Sequence, residues 1–239
     1  MLPKTQTLKW CVFVLFAGLL GPVPIYADTI AVIGTGDVAG ALGPEFAALG
    51  HTIVYGSRDP SRPEVSVLVE RSGDGASATT PAESVVGADI VVLAVPGTAV
   101  EAVTHSLGDL SGKIIIDPTN AIERNGDGYL ELVYETSAAE IIQNAATGAY
   151  VVKAFNTLNW RTMVEPDSAG GPVSIPLVGD NAAAKAKVAA LVEGMGLEAI
   201  DLGPLRHAHH VEGMLLMWIH NRYAGGGGPA FDYHLRKQH

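Results

Sequence analysis

"TIAVIGTGDVAGALGPEFAALGHTIVYGSRD", residues 29–59, decides the fold. A short apolar run, TIAVIG, ends in glycine. VAGALGPEFAALG then reads as a helix, and HTIVYGS as a second strand. Between the first strand and the helix stands Gly34-Thr35-Gly36-Asp37-Val38-Ala39, a G-x-G-x-x-A pattern in the strand–turn–helix setting of a dinucleotide-binding unit. Gly34 permits the tight turn, Gly36 lets a pyrophosphate approach the backbone, and Ala39 keeps the helix close to the strand. Gly34, Thr35, Gly36, Asp37 and Val38 are therefore the expected cofactor-binding turn, with the helix N-terminus facing the phosphates.

The end of the second strand selects the cofactor. NAD sites place a carboxylate there to accept from the ribose 2′-OH. Here Gly56 is followed by Ser57 and Arg58, a hydroxyl and a planar cation suited to a phosphate dianion. Thr35 is placed to donate to the same phosphate, so the pattern reads as an NADP(H) site. Asp59 is read as pointing away and opening the next turn with Pro60; the alternative gives it the NAD ribose.

Working outward, the alternation of apolar runs and helical patterns continues. DIVVLAVP, KIIIDPTN and YVVKAFNT read as strands, and RPEVSVLVERSG, PAESVVGA, TAVEAVTHSL and AAEIIQNAA as helices. GDGASATT reads as a flexible link. The fold class is α/β, a doubly wound and mostly parallel Rossmann sheet. After Trp160 a Pro/Gly-rich connection leads to VSIPLVGD (strand), NAAAKAKVAALVEGMG (helix) and LEAIDLG (strand), read as one more unit continuing the sheet. A last helix, HAHHVEGMLLMWIHNRYA, carries Val211, Met214, Leu215, Trp218 and Ile219 on one side, as core or dimer surface. The expected organisation is a leader over 1–27, an NADP-binding domain over 28–165, an extension over 166–224 that completes the sheet and the acceptor cleft, and a loose tail over 225–239.

Composition narrows the function classes. The 239 residues are 48% hydrophobic, enough for a sizeable core, and the formal net charge of -10 argues against a nucleic-acid partner or a face for anionic lipid. Lys4 and Lys9 precede the apolar run WCVFVLFAGLLGPVP, and IYA precedes Asp28, which reads as a secretory signal cleaved after Ala27. The expected location is periplasmic or secreted, with membrane contact only through residues 1–27 if they stay attached. A misassigned start codon would instead leave the protein in the cytoplasm. The single cysteine, Cys11, lies in that leader, so the remaining chain has no disulfide, thiolate nucleophile or cysteine metal site.

The segments IGTGDVAGALG, VYGSRDP, VLAVP, DPTN, VVKAFNT and LVGD together resemble the coenzyme F420-dependent NADP oxidoreductases. That grouping takes in the pyrroline-5-carboxylate reductase N-terminal domain. The chain is also similar to the oxidoreductase domain of the STEAP metalloreductases across VVKAFN and the later VGD…MG…DLG. The resemblance spans roughly residues 29–220. It implies that Thr35, Ser57 and Arg58 hold the 2′-phosphate and that Ala94, Val95 and Pro96 lie against the nucleotide. Asn120, Ala154 and Asn156 then lie near the nicotinamide. Pro118, Thr119 and the start of the last helix, with His207, are nominated for the acceptor side. The implied reaction is hydride transfer between NADP(H) and a flavin-like or deazaflavin (F420-type) acceptor, a small molecule, in a possible homodimer. The alternatives are reduction of a small imine or carbonyl, and a non-catalytic NADPH-binding sensor.

RHAHH, residues 206–210, with Glu212 and His220, has a spacing compatible with metal ligation, since His209 and Glu212 share a helix face. It is read as a helix start touching the acceptor, with no metal. Lys153, an isolated base in an apolar strand, is read as pointing to a sheet edge or a ligand phosphate in preference to acting in proton transfer.

Overall fold

The computed structural model describes residues 27–223 and 231–236. The leader lies outside the described residues apart from Ala27, as does the glycine run at 225–228.

Six parallel strands form the central sheet. β1 (Thr29–Ile33), β2 (Thr52–Gly56), β3 (Ser77–Thr79), β4 (Ile90–Leu93), β5 (Ile114–Asp117) and β8 (Tyr150–Lys153) lie in the order β3-β2-β1-β4-β5-β8. Every pairing is parallel, and the order reverses between β1 and β4. That reversal is the topological switch point at which doubly wound sheets bind ligands. The strands read as continuous apolar runs because both faces are covered. Ile30, Val32, Ile53, Tyr55, Val92 and Ile116 enter one core, against α1 (Asp37–Ala48) and α7 (Ala182–Gly194). Ala31, Ile33, Val91, Leu93, Ile115 and Val151 enter the other, against α4 (Val100–Ser106), α5 (Ala138–Ala145) and α8 (Ala208–Tyr223). The period of two along each strand is what divides the cores.

The remaining helices are α2 (Pro63–Arg71), α3 (Pro81–Ser84) and α6 (Trp160–Val164). Both α2 and α3 begin with proline at the first helical position, where the missing N–H has no intrahelical partner to lose. Thr80 and Glu83 close a reciprocal capping box on α3.

Three sequence expectations need correction. GDGASATT is not simply a flexible link: Ser77–Thr79 pairs with β2 as the edge strand of the sheet. The extension after Trp160 does not continue the main ladder. β9 (Ser174–Leu177) and β10 (Glu198–Asp201) form a separate parallel pair, joined to β8 by one antiparallel bridge between Lys153 and Val178. The tail is not loose over 231–236. The Ser174 N–H donates to the Tyr233 carbonyl at 2.8 Å, and the Tyr233 hydroxyl donates to the Met214 carbonyl at 2.7 Å. The sequence reading passed over one element: IERNGDGYLEL holds an antiparallel hairpin, β6 (Ile122–Arg124) with β7 (Leu130–Leu132), that packs beside α8.

On α8, Val211, Leu215 and Trp218 are buried while Met217 faces solvent. Among the described residues no helix is long and apolar enough to cross a membrane.

Candidate cofactor site

The turn after β1 is built on Gly34. Its φ of +113° is a conformation that side chains disfavour, and a Cβ there would lie 2.2 Å from the Ala94 carbonyl oxygen. The Gly34 N–H donates to the Gly56 carbonyl at 3.0 Å, tying the turn to the end of β2. Gly36 is the N-cap of α1, and a Cβ built on it meets nothing within 4 Å. One glycine is thus required by the fold, and the other leaves open space before a helix N-terminus whose backbone N–H groups favour an anion.

A cleft of ≈ 930 Å³ opens over this turn, at the switch point. Gly34, Thr35, Gly36, Ser57, Arg58, Ala94, Val95 and Pro96 line it, so eight of the sequence-nominated residues meet in one place. Asp37 is exposed and Val38 half-buried at the start of α1, and neither lines the cleft.

The far end of β2 differs in detail from the sequence reading. The Ser57 hydroxyl donates to the Asp59 carbonyl at 2.9 Å and accepts from the Asp59 N–H at 3.2 Å, so it shapes the turn that presents Arg58. Asp59 lines the cleft, but its carboxylate accepts from the Ser61 N–H at 3.1 Å and the Ser61 hydroxyl at 2.6 Å. Those two bonds hold the Asp59 carboxyl below the usual carboxylate range. Asp59 thereby opens the following turn toward α2.

Sequence reasoning missed Arg62. It is the N-cap of α2, lines the same cleft, and donates from Nη2 to Thr35 Oγ1 at 2.8 Å. Two guanidinium groups and a threonine hydroxyl therefore border one end of the cleft. The usable signal was a second arginine four residues after Arg58 at a predicted helix start.

The other nominated residues form a buried cluster at the ends of β5 and β8. Asn120 Nδ2 donates to the Asn156 carbonyl at 3.0 Å, and Asn156 Nδ2 donates to Asn120 Oδ1 and to the Val211 carbonyl, each at 3.1 Å. Pro118, Thr119, Ala154 and Asn156 are buried, and Asn120 is half-buried. None of these five lines the cleft, but Gly97, next in the chain to the cleft residue Pro96, packs on the cluster: a Cβ on Gly97 would lie 2.3 Å from the Asn120 carbonyl. Phe155, between Ala154 and Asn156, takes φ +64°, a strained value for a non-glycine residue that turns the chain back after β8. Thr119 Oγ1, Asn156 Oδ1 and Thr157 Oγ1 are buried without a hydrogen-bond partner.

Lys153 points to neither a sheet edge nor a phosphate site. It is fully buried, 2.8 Å from Asp117 Oδ2 and 2.8 Å from Glu212 Oε1. His207 Nδ1 lies 2.7 Å from the Leu202 carbonyl, and His209 Nδ1 bonds the Thr136 carbonyl. His207 does not line the cleft. With Glu212 turned inward to Lys153, the His209 and Glu212 pair does not converge. Among the described residues no group of three or more His, Cys, Asp or Glu converges on a metal position.

The chain is 30% identical over 206 residues to the F420-dependent NADP reductase of Methanothermobacter thermautotrophicus, covering 80% of this chain and 87% of that one. It belongs to the F420-dependent NADP oxidoreductase family. The profile described as NADP oxidoreductase, coenzyme F420-dependent, matches residues 29–121. A crystal structure from Arthrobacter sp. FB24, assigned as an F420-dependent NADP reductase, superposes with a TM-score of 0.79 at 33% identity, covering 88% of this chain and all of that one. Metalloreductase STEAP3 of Rattus norvegicus is 29% identical over 200 residues, but this family member spans only 38% of that longer protein. The chain is an NADP-dependent oxidoreductase, and its cleft fits that cofactor. Gly36 leaves room at a helix N-terminus, and Thr35, Arg58 and Arg62 supply donors at one end for a phosphate.

Proposed function

We propose that this oxidoreductase moves a hydride between NADP(H) and a flavin-like or deazaflavin acceptor of the coenzyme F420 type. The observation that carries the reading is the match across 87% of a protein named an F420-dependent NADP reductase. The cleft geometry supports it. In this reading Gly34, Thr35 and Gly36 seat the pyrophosphate against the start of α1, and Thr35, Arg58 and Arg62 grip the 2′-phosphate. Ala94, Val95 and Pro96 form the wall along the nucleotide. Asn120 borders the nicotinamide, with Ala154 and the hydrogen-bonded Asn156 buried behind it, and Pro118, Thr119 and His207 stand toward the acceptor. NADPH, when bound, supplies the hydride from its nicotinamide ring. The protein's contribution is then orientation of two rings face to face and exclusion of water.

The test is an acceptor screen on the purified protein. NADPH consumption is followed by its near-ultraviolet absorbance with coenzyme F420, FMN or FAD as acceptor, and with NADH as the control donor. Turnover with NADPH and one of the ring acceptors is expected. Tight NADPH binding with no turnover on any ring acceptor sinks the hydride-transfer reading.

A further inference from the structure

The joint between β5, β8 and α8 is an ion-bonded device that the cofactor cleft does not include. Lys153 and Asp117 are the last residues of neighbouring strands and stand opposite each other in register. Lys153 Nζ is 2.8 Å from Asp117 Oδ2, 2.8 Å from Glu212 Oε1 and 2.5 Å from the Thr119 carbonyl oxygen. An ammonium has three donors, and all three are taken. The other Asp117 oxygen accepts from the Thr119 N–H at 2.8 Å. Glu212 accepts from the Ala138 N–H at 2.9 and 3.2 Å, so α8 is also tied to the first residue of α5.

Thr119 is therefore held at both its peptide groups, by Asp117 on the N–H and by Lys153 on the carbonyl. The next residue is Asn120, whose side chain exchanges hydrogen bonds with Asn156. Asn156 in turn donates to the Val211 carbonyl, one residue before Glu212 on α8. The chain of contacts is closed: the ion triad fixes the Thr119–Asn120 loop from one side and the first turns of α8 from the other. Asp117 and Lys153 are fully buried and Glu212 nearly so, at 1% exposure, so none of the three reaches a ligand directly. A buried charge costs several kcal/mol unless paired, and hydrophobic residues of similar volume would often serve stability as well. What such residues could not do is grip both peptide groups of Thr119.

We infer that Lys153, with Asp117 and Glu212, is a positioning residue for hydride transfer, which sets the pose of Asn120 and Asn156 and so the placement of the nicotinamide. The inference rests on the reading of Asn120 and Asn156 given above, and the test separates the two. Wild type, Lys153→Met and Asp117→Asn are each titrated with adenosine 2′,5′-bisphosphate, which reports only the phosphate end of the cleft, and with NADPH, whose nicotinamide fluorescence reports the other end. Both ligands should bind the wild type, with enhanced nicotinamide emission. Failure of the bisphosphate to bind wild type would remove the cofactor reading and this inference with it.

In the variants the bisphosphate affinity should stay within about twofold of wild type, while the affinity gained on going to NADPH falls roughly tenfold, about 1.4 kcal/mol. The nicotinamide emission should fall toward that of free NADPH. In turnover kcat should drop by a larger factor than KM. Lys153→Met leaves two buried carboxylates, and if it does not fold, Asp117→Asn decides: it keeps the shape and an acceptor for the Thr119 N–H but turns an amide toward Lys153. Folded variants that retain the nicotinamide signal and the wild-type kcat overturn the inference, as does an equal loss of both ligands.

Discussion

Arg62 Nη2 donates to Thr35 Oγ1 across 2.8 Å, joining the start of α2 to the glycine turn of α1 over one end of the cleft. With Arg58 on the same rim, two cations face a region that an NAD site would give to a carboxylate. Charge-assisted contacts to the 2′-phosphate should favour NADPH over NADH by about 1.5–3 kcal/mol, roughly ten- to a hundredfold. Arg62→Ala should cost NADPH about tenfold in affinity and leave NADH within about twofold. The double variant with Arg58→Ala should bind the two nucleotides about equally. Fluorescence titration checks this, and an Arg62→Ala protein with its full preference would return the role to Arg58 alone.

The two glycines of the turn should fail differently. Gly34→Ala forces a Cβ against the Ala94 carbonyl at φ +113°, and should cost about 3 kcal/mol or more, through strain in the native state. Gly36→Ala meets open space, so urea unfolding should change by less than about 0.5 kcal/mol. Its methyl group then occupies the approach to the helix N-terminus, and NADPH affinity should fall roughly tenfold, about 1.4 kcal/mol. An unchanged NADPH affinity in folded Gly36→Ala would place the pyrophosphate elsewhere.

These contrasts show why part of the molecule is legible in the sequence. TIAVIG, DIVVLAVP and KIIIDPTN read as strands because a sheet covered on both faces leaves unbroken apolar runs. The glycine turn is legible because backbone geometry at Gly34 admits almost nothing else. β3 is not, since Ser77, Ala78 and Thr79 form a short, half-exposed edge with no apolar run to mark it. The hairpin of β6 and β7 did carry a signal, NGDG between alternating residues, that helical and parallel-strand patterns alone pass over. Glu212 illustrates a different limit. Its partner Ala138 is 74 residues away, and no local pattern distinguishes it from a solvated helix glutamate.

Glu212 should also leave a signature in the pH dependence of stability. Burial pushes its carboxyl up, Lys153 pulls it back down, and the negative charge of Asp117 pushes it up again, for a net rise. In the unfolded chain it takes an ordinary glutamate value, about 4.3. Between that value and the raised one, the native state holds a proton that the unfolded state has released. Stability attributable to this group is therefore greatest below the unfolded value and declines as pH rises through the folded one, by at most about 1.4 kcal/mol per pH unit. Glu212→Gln removes the group, so urea unfolding across this window should show a flatter pH profile than wild type. A variant profile parallel to wild type would mean that Glu212 is ionised throughout.

The segment 231–236 should behave as a strap on α8. Tyr233 bonds the Met214 carbonyl, Trp218 Nε1 donates to Asp232 Oδ1 at 3.3 Å, and the Leu235 N–H donates to Ser174 Oγ at 2.8 Å. The segment thus links the second and third turns of the helix that carries Glu212 to the first residue of β9. Tyr233→Phe deletes one donor and should cost about 1 kcal/mol. Deleting residues 231–239 also uncovers Trp218, now 4% exposed, and bares the Ser174 N–H at the start of β9. The deletion should cost about 2–3 kcal/mol, shift Trp218 emission to the red and raise its quenching by acrylamide. If the ion triad holds the first turns of α8 independently, NADPH binding should survive the deletion while the distal half of the helix loosens. Unchanged emission and stability would show that α8 is seated by its own apolar face, Val211, Leu215 and Trp218, without the strap.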